Sequence, residues 1–244
     1  MKVIPLSEGS FTIDKTKLFV PFDETKDDLQ KRSVGSLLVE VQPFVVITSE
    51  DVLLLDTGLG FEMNGVMQLH KNMMDAGINP SEVTKVLVSH LHKDHAGGIS
   101  KKNGEVSELS FPNATYYLQK KELEFAFQKG FPSFIPEELE PLRSAKNLVL
   151  LDGNGVIDAY IKYEVTAAHS PHHQVFWIVD SGETIFFGAD DAPQLHQMRT
   201  KFIAKYDYDG KKCMQLRQQW KEQGEKEGWQ FLFYHDISTP AYKF

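Results

Sequence analysis

Apolar positions along the chain group into short unbroken runs and longer runs at helical spacing. Three early runs, 36–41, 43–47 and 52–55, predict strands, with Thr48-Ser49-Glu50-Asp51 as the turn before the third. The four consecutive apolar residues at 52–55 read as a strand buried on both faces. Val66, Leu69 and Met73 recur at helical spacing and predict a helix over 66–76, with Gly77 where a C-cap belongs. A further buried strand over 83–88 runs straight into Ser89-His90. The middle, 104–152, is less regular. Within it 114–118 reads as a strand, 120–128 as a helix, and 129–136 as a loop holding Phe131, Phe134 and two prolines. A strand is expected over 161–166. The runs 175–179 and 184–187 flank Asp180-Ser181-Gly182-Glu183, a strong hairpin signal. Cys213, Leu216 and Trp220 share one face of a helix over 211–223, and 231–234 reads as a last strand ending at His235-Asp236. The charged segment 23–32 predicts an exposed loop or short helix. The order strand, helix, strand, with polar chemistry at a strand's C-terminal end, is that of α/β folds. Strands grouped towards both ends with helices between them predict packed sheets covered by helices.

Composition adds exclusions. The 244 residues are 41% hydrophobic and 25% charged, enough apolar material for a core. No repeat or linker divides them, so residues 1–244 are expected to form one domain. The net charge of -8 argues against a binder of phosphate backbones. Cys213 is the single cysteine, which excludes an intrachain disulfide. The opening residues do not read as a secretory signal, and no apolar run approaches the ~18 residues of a bilayer span. The expectation is a soluble cytoplasmic protein with a small-molecule substrate, no nucleic-acid or membrane partner, and a homodimer as an option.

The chemistry concentrates in Ser89-His90-Leu91-His92-Lys93-Asp94-His95. At a strand end His90 and His92 point the same way, and Asp94 and His95 follow in a turn that can face the same space. Imidazoles with carboxylates suit zinc, manganese or iron. Gly97-Gly98 lets the backbone turn tightly beside them. No Gly-x-Ser-x-Gly elbow offers a serine nucleophile instead.

His90-x-His92-x-Asp94-His95 resembles the signature motif of the metallo-β-lactamase superfamily. Four further segments resemble its other motifs in the same order. They are Leu53-Leu54-Leu55-Asp56-Thr57-Gly58, the stretch Ala167-Ala168-His169-Ser170-Pro171-His172-His173, the Gly-Asp-like Phe186-Phe187-Gly188-Ala189-Asp190, and Phe233-Tyr234-His235-Asp236. The resemblance implies an α/β fold of the four-layer αβ/βα sandwich type, two mixed β-sheets flanked by helices. It also implies a dinuclear centre of two divalent metals, zinc first, with manganese or iron as alternatives. His90, His92 and His169 would hold one metal, Asp94, His95 and His235 the other, and Asp190 would bridge. Asp56 and His173 would support ligands from behind. The nucleophile would be a metal-bound hydroxide, with Asp94 a candidate proton relay to the leaving group.

The spelling is most similar to the lactonase-like branch, which cleaves lactones or esters. Phosphodiester or thioester hydrolysis and a mononuclear iron sulfur dioxygenase remain alternatives. Antibiotic hydrolysis is not expected: a carboxylate stands where certain β-lactamase subclasses carry a thiolate. Three departures bear on the site. His172 stands where the family usually has glycine, and either lines the pocket or reaches solvent. Asp191 rivals Asp190 as the bridge, and the strand register favours Asp190. Acyl-homoserine lactonases carry a tyrosine three residues after the bridge, where this chain has Pro193, or Gln194 if Asp191 bridges; Tyr206 or Tyr208 is the candidate replacement. Aromatics in 131–135, among them Phe131 and Phe134, and in 19–22 either cover the core or form an apolar lid. His70 is expected at the surface, His196 near the site, and Cys213 as a buried structural thiol.

Overall fold

The computed structural model describes residues 1–104 and 106–244. Two six-stranded mixed sheets form its centre. In the first, the spatial order is Lys2–Pro5, Phe44–Ile47, Val52–Leu55, Lys85–Leu87, Thr115–Gln119, Leu148–Leu151. The last four strands run parallel to one another and the first three are antiparallel. In the second sheet the order is Gly155–Ile157, Ile161–Val165, Gln174–Asp180, Glu183–Phe187, Gln230–Leu232, Ala241–Lys243. Its only parallel pair is Glu183–Phe187 with Gln230–Leu232.

Strand alternation sorts the apolar residues into three separate cores, as four stacked layers require. Val45, Leu54 and Val86 point outward from the first sheet, against Leu69, Met73, Leu123 and Leu139 of the covering helices. Their neighbours Phe44, Val46, Leu53, Leu55 and Leu87 point inward, against Phe176, Ile178, Ile185 and Phe187 of the second sheet. That sheet's other face carries Val175, Trp177, Phe186 and Phe231, which meet Leu195, Met198 and Trp220 of two more helices. Each fully buried Leu, Val or Phe is worth about 1.5–3 kcal/mol of transfer free energy, so a one-residue slip of any central strand would be prohibitive.

The 52–55 run is the doubly buried strand that its four apolar residues predicted. The Ser181-Gly182 turn has positive φ at both residues (52° and 80°), as a two-residue hairpin loop requires. The predicted 211–223 helix extends over Gly210–Glu227, opened by Asp209, whose side chain accepts the Lys212 N–H at 3.0 Å. Cys213 and Trp220 are buried on its inner face, with Arg217 between them.

Other expectations are corrected. The 66–76 helix spans only Gln68–Asp75, because Val66–Met67 pairs instead with Glu62–Met63. It ends in a Schellman motif: Ile78 N–H reaches Met73 O at 2.9 Å and Gly77, at φ 81°, reaches Met74 O at 3.0 Å. The irregular middle contains the strand Leu148–Leu151, an edge strand whose Val149 and Leu150 are exposed. The 36–41 run joins neither main sheet. As Leu37–Val41 it pairs with Gly9–Ile13 in a three-stranded sheet with Val20–Pro21. That small sheet is what roofs the cavity described next. The described residues contain no helix long and apolar enough to cross a membrane.

Candidate metal centre

The parallel pairs of the two sheets deliver the polar motifs to one edge. Asp56 follows Val52–Leu55, His90 to His95 follow Lys85–Leu87, Asp190 follows Glu183–Phe187, and His235 follows Gln230–Leu232. His169 lies between the antiparallel strands Ile161–Val165 and Gln174–Asp180. Beyond Leu87 the alternation breaks at a bend at Ser89: Val88 and Leu91 both lie in the outer core, while His90 and His92 turn to the site. His92 then caps the short helix Lys93–Ala96, its carbonyl accepting the His95 and Ala96 N–H groups, both at 2.9 Å. That single turn is what carries Asp94 and His95 round to the far side of the site.

Two groups of ligand-capable atoms result: His90, His92, His169 and Asp190 in one, and Asp94, His95 and His235 in the other. In the first, His90 Nε2 lies 2.9 Å from His92 Nδ1, which lies 3.2 Å from His169 Nε2. In the second, Asp94 Oδ2 is 3.7 Å from His95 Nε2 and 3.5 Å from His235 Nε2. Donors of a tetrahedral ion with bonds of about 2.0–2.1 Å stand about 3.3 Å apart, so both spacings suit an ion at the centre. Asp190 divides its carboxylate between the groups. Its Oδ2 faces His169 Nε2 at 3.1 Å, and its Oδ1 faces His95 Nε2 at 3.0 Å and His235 Nε2 at 2.9 Å. His95 Nε2 and Asp190 Oδ1 are buried with no hydrogen bond to satisfy them, as a pair of atoms meant for a cation would be.

Four of the imidazoles are turned by oxygen partners behind them. His90 Nδ1 meets Ser89 Oγ at 3.0 Å, His95 Nδ1 meets Asp56 Oδ2 at 2.8 Å, His169 Nδ1 meets Asp207 Oδ1 at 2.9 Å, and His235 Nδ1 meets the Glu40 carbonyl at 2.6 Å. Each contact favours a ring proton on the outer nitrogen, which would leave the inner nitrogen to a cation. Asp56 also accepts from Ser89 N–H at 2.7 Å and Ser89 Oγ at 2.6 Å. His173 pairs with Asp191 at 3.0 Å and packs under His90, ring centroids 4.9 Å apart. Asp191 faces away from the ligand groups. It holds His173, accepts the His169 N–H at 2.7 Å, and lies 3.5 Å from Cys213 Sγ.

The electrostatics are those of a cluster short of positive charge. Burial would raise the Asp190 pKa, but the surrounding His95, His235 and His169 outweigh it and hold the carboxyl well below its ordinary range. Burial likewise disfavours the charged form of His95, and the carboxylates of Asp190 and Asp94 more than reverse this. His90 and His92 are driven well below ordinary histidine by burial and by the neighbouring imidazoles. Burial pushes the Asp191 pKa up, and His173 more than compensates, leaving it at about 2. The Cys213 thiol is pushed far up by burial and by Asp191, which makes it inert, as its helical phase predicted.

The groups open into a cavity of about 630 Å³, lined on one side by Ile13, Phe19, Leu37 and Val39 of the small sheet and its loop. Tyr206 lines it too, its ring 6.2 Å from that of His169, with burial raising its hydroxyl to about 12. Four candidate pocket residues lie elsewhere. Phe134 is buried behind His92, centroids 5.0 Å apart, and supports that ring. Phe131 is 71% and Tyr208 70% exposed. His172 is half-buried edge-on against Phe125. So of the two aromatic segments considered for a lid, Phe19 reaches the cavity and Phe131 does not. His196 is exposed rather than near the site, and His70 is half-buried against Phe111 rather than at the surface. Gly97 and Gly98 open the tight 3-10 turn Gly97–Ile99 as expected, although Gly97 has an ordinary helical φ of -60° and needs no positive φ there. A Cβ at Gly97 or Gly98 would run into the Leu59 or Thr57 carbonyl oxygen, because the Asp56 loop packs directly on that backbone.

Sequence reading missed three supports. Tyr234 stacks on His95 at 4.1 Å and donates its hydroxyl to the Asp94 carbonyl at 2.6 Å. Glu122 accepts the Leu91 N–H at 2.9 Å. Asp207 turns His169. No spacing rule links these residues to their partners, which come together only across layers.

The sequence pattern of the Metallo-beta-lactamase superfamily matches residues 39–228, more than half of the chain. The chain belongs to that superfamily. Among curated relatives, the N-acyl homoserine lactonase AttM of Azorhizobium caulinodans is 30% identical over 109 residues, 42% of this chain and 38% of that protein. AttM of Rhizobium johnstonii is 45% identical over 51 residues, 21% of this chain and 16% of that one. The chain thus spans less than two-fifths of the length of these relatives. Among solved structures, the dizinc quorum-quenching lactonase AidC superposes with a TM-score of 0.73 at 20% identity, over 98% of this chain and 88% of that one. An N-acyl homoserine lactone hydrolase with product at its catalytic metal centre gives 0.66 at 20%, over 96% and 93%. These structures share the fold, two sheets within helical layers.

Proposed function

We propose that residues 1–244 form one hydrolase unit with a dinuclear centre, zinc as the working metal, that opens lactones or cleaves small carboxylic esters. The observation that carries this reading is the divided carboxylate of Asp190, one oxygen towards each ligand group. The residues fit two dications: each group offers imidazoles with a carboxylate, and His95 Nε2 and Asp190 Oδ1 are buried without a hydrogen bond. His90, His92 and His169 would hold one ion and Asp94, His95 and His235 the other, with Asp190 available to both. When bound, such a pair supplies Lewis acidity to a carbonyl oxygen and acidifies a coordinated water towards neutral pH.

The remaining roles belong to the chain. Asp56, Asp207, Ser89 and the Glu40 carbonyl fix ring orientation and tautomer. The apolar wall of Ile13, Phe19, Leu37 and Val39 excludes water and takes the acyl portion. Tyr206, held protonated, donates a hydrogen bond to the substrate where other lactonases use a tyrosine nearer the bridge. Asp94, open to the cavity, takes a proton at its carboxylate and passes it to the leaving oxygen. A single-iron oxygenase would leave Asp94, His95 and His235 without a task.

Elemental analysis of protein purified without added metal tests the centre, and pH-stat titration of N-hexanoyl homoserine lactone tests the chemistry. Two equivalents of zinc and ring-opening turnover are expected. One equivalent of iron with no turnover would overturn the reading and favour the oxygenase.

A further inference from the structure

Four lysines line the cavity: Lys15, Lys17, Lys93 and Lys205. They come from three segments remote in sequence: the loop after Gly9–Ile13, the first turn of Lys93–Ala96, and the chain before Gly210–Glu227. None forms an ion pair with any described residue, in a chain that carries -8 overall. Lys93 Nζ lies 5.8 Å from the ring centroids of both Phe19 and Phe131. Lys17 is near enough for its charge to act on both His92 and Lys93. Of the three lining carboxylates, Asp94 and Asp190 are committed to the proposed centre, which leaves Asp14 alone against four ammonium groups. Like charges gathered from separate elements repel one another, and a protein that needed them only for solubility would spread them out.

We propose that the substrate is anionic: a small ester or lactone with a carboxylate at the end of its acyl portion, received by Lys15, Lys17, Lys93 and Lys205 while the scissile carbonyl lies at the metal centre. This rests on the hydrolase reading above and names its substrate class. The same cavity is lined by the apolar Ile13, Phe19, Leu37 and Val39, by the four lysines and by the ligand groups, so the ligand that fits has an aliphatic portion and a charged end. A neutral acyl chain would leave four cations facing nothing.

The test is a matched pair of chromogenic esters, 4-nitrophenyl hexanoate and mono-4-nitrophenyl adipate, which differ by one terminal carboxylate. With the zinc-loaded full chain, kcat/KM for the adipate is expected to exceed that for the hexanoate by about tenfold or more, with the ratio falling as salt is raised. In the triple variant K15M/K17M/K205M the ratio should fall towards one. Both substrates are read on one preparation, so the ratio does not depend on how much of the variant is folded. A ratio of one or less in the parent chain overturns the proposal while leaving the hydrolase reading intact.

If neither ester is cleaved, ester hydrolysis falls, and binding still decides the role of the lysines. Adipamate, which is not an ester, should bind the zinc-loaded chain at least tenfold more tightly than hexanamide by calorimetry, and the triple variant should lose that preference. A preference that survives in the variant means that the carboxylate sits on metal instead, which overturns the proposal. So does equal or undetectable binding.

Discussion

Asp56 is the sharpest point at which to test the centre, because it touches His95 and no proposed metal. It sits at φ 55°, where asparagine is among the few tolerated side chains, so Asp56→Asn changes hydrogen bonding with little backbone strain. The parent carboxylate accepts three donors: Ser89 N–H at Oδ1, and Ser89 Oγ and His95 Nδ1 at Oδ2. The Ser89 N–H cannot reverse, so the amide oxygen must take the Oδ1 position and the NH2 the Oδ2 position. Ser89 Oγ can turn to accept. His95 Nδ1 can accept only by giving up its proton, which moves the proton to Nε2, the atom facing Asp94 and Asp190. Loss of a charge-assisted bond of about 1.5–3 kcal/mol converts to roughly a tenfold to hundredfold weaker metal site. A wrong tautomer held in intact geometry is also how an asparagine in place of the triad aspartate acts in serine proteases. Competition of zinc against a graded chelator should therefore show one binding step weakened by this factor and the other near that of the parent. Two unchanged steps, or two equally weakened ones, would refute the tautomer argument.

Asp190→Asn should bind less than two equivalents of zinc while unfolding near the parent denaturant midpoint, whereas Asp191→Asn should keep both zincs and lose about 3 kcal/mol of stability, because it breaks the buried pair with His173; indistinguishable variants would contradict the assignment of the bridge. Burial raises the Glu8 carboxyl to about 7, so the metal-free fold holds a proton that the unfolded chain releases from about pH 4.5. Its stabilising effect is therefore complete below that pH and lost as pH rises through about 7. Glu8→Gln should flatten the stability profile across this window by up to about 3 kcal/mol, read from urea midpoints at pH 5 and 8. Gly98→Ala drives a Cβ into the Thr57 carbonyl and should cost about 2–3 kcal/mol in the same assay, with zinc affinity falling because the Asp56 loop must move.

How much of this was legible in the chain follows from what kind of signal each feature leaves. The strands of the layers were, because unbroken apolar runs at 43–47, 52–55 and 184–187 announce strands buried on both faces; which residue faces which core was settled only by the placement of the sheets. The ligand cluster was, because the bonding demands of a metal concentrate histidine and aspartate within six residues after one strand. The edge strand Leu148–Leu151 was not: half-exposed on one side, it owes its state to pairing with Thr115–Gln119, which no local pattern announces. Nor was the cavity wall. Phe131 and Phe134 carry similar sequence signals, yet one lies in solvent and the other under His92, and the difference is set by how the 129–136 loop meets the first sheet.

The sequence by itself determined the fold class, the ligand-capable side chains and their support by Asp56, since each follows from local spacing or motif spelling. Only the tertiary structure decided that Asp190 rather than Asp191 faces both ligand groups, that Asp207, Tyr234 and Glu122 stand behind the ligands, and that four lysines from three segments share one cavity. Those outcomes depend on the relative placement of two sheets, and that placement is set by the sum of many buried contacts rather than by any neighbour along the chain.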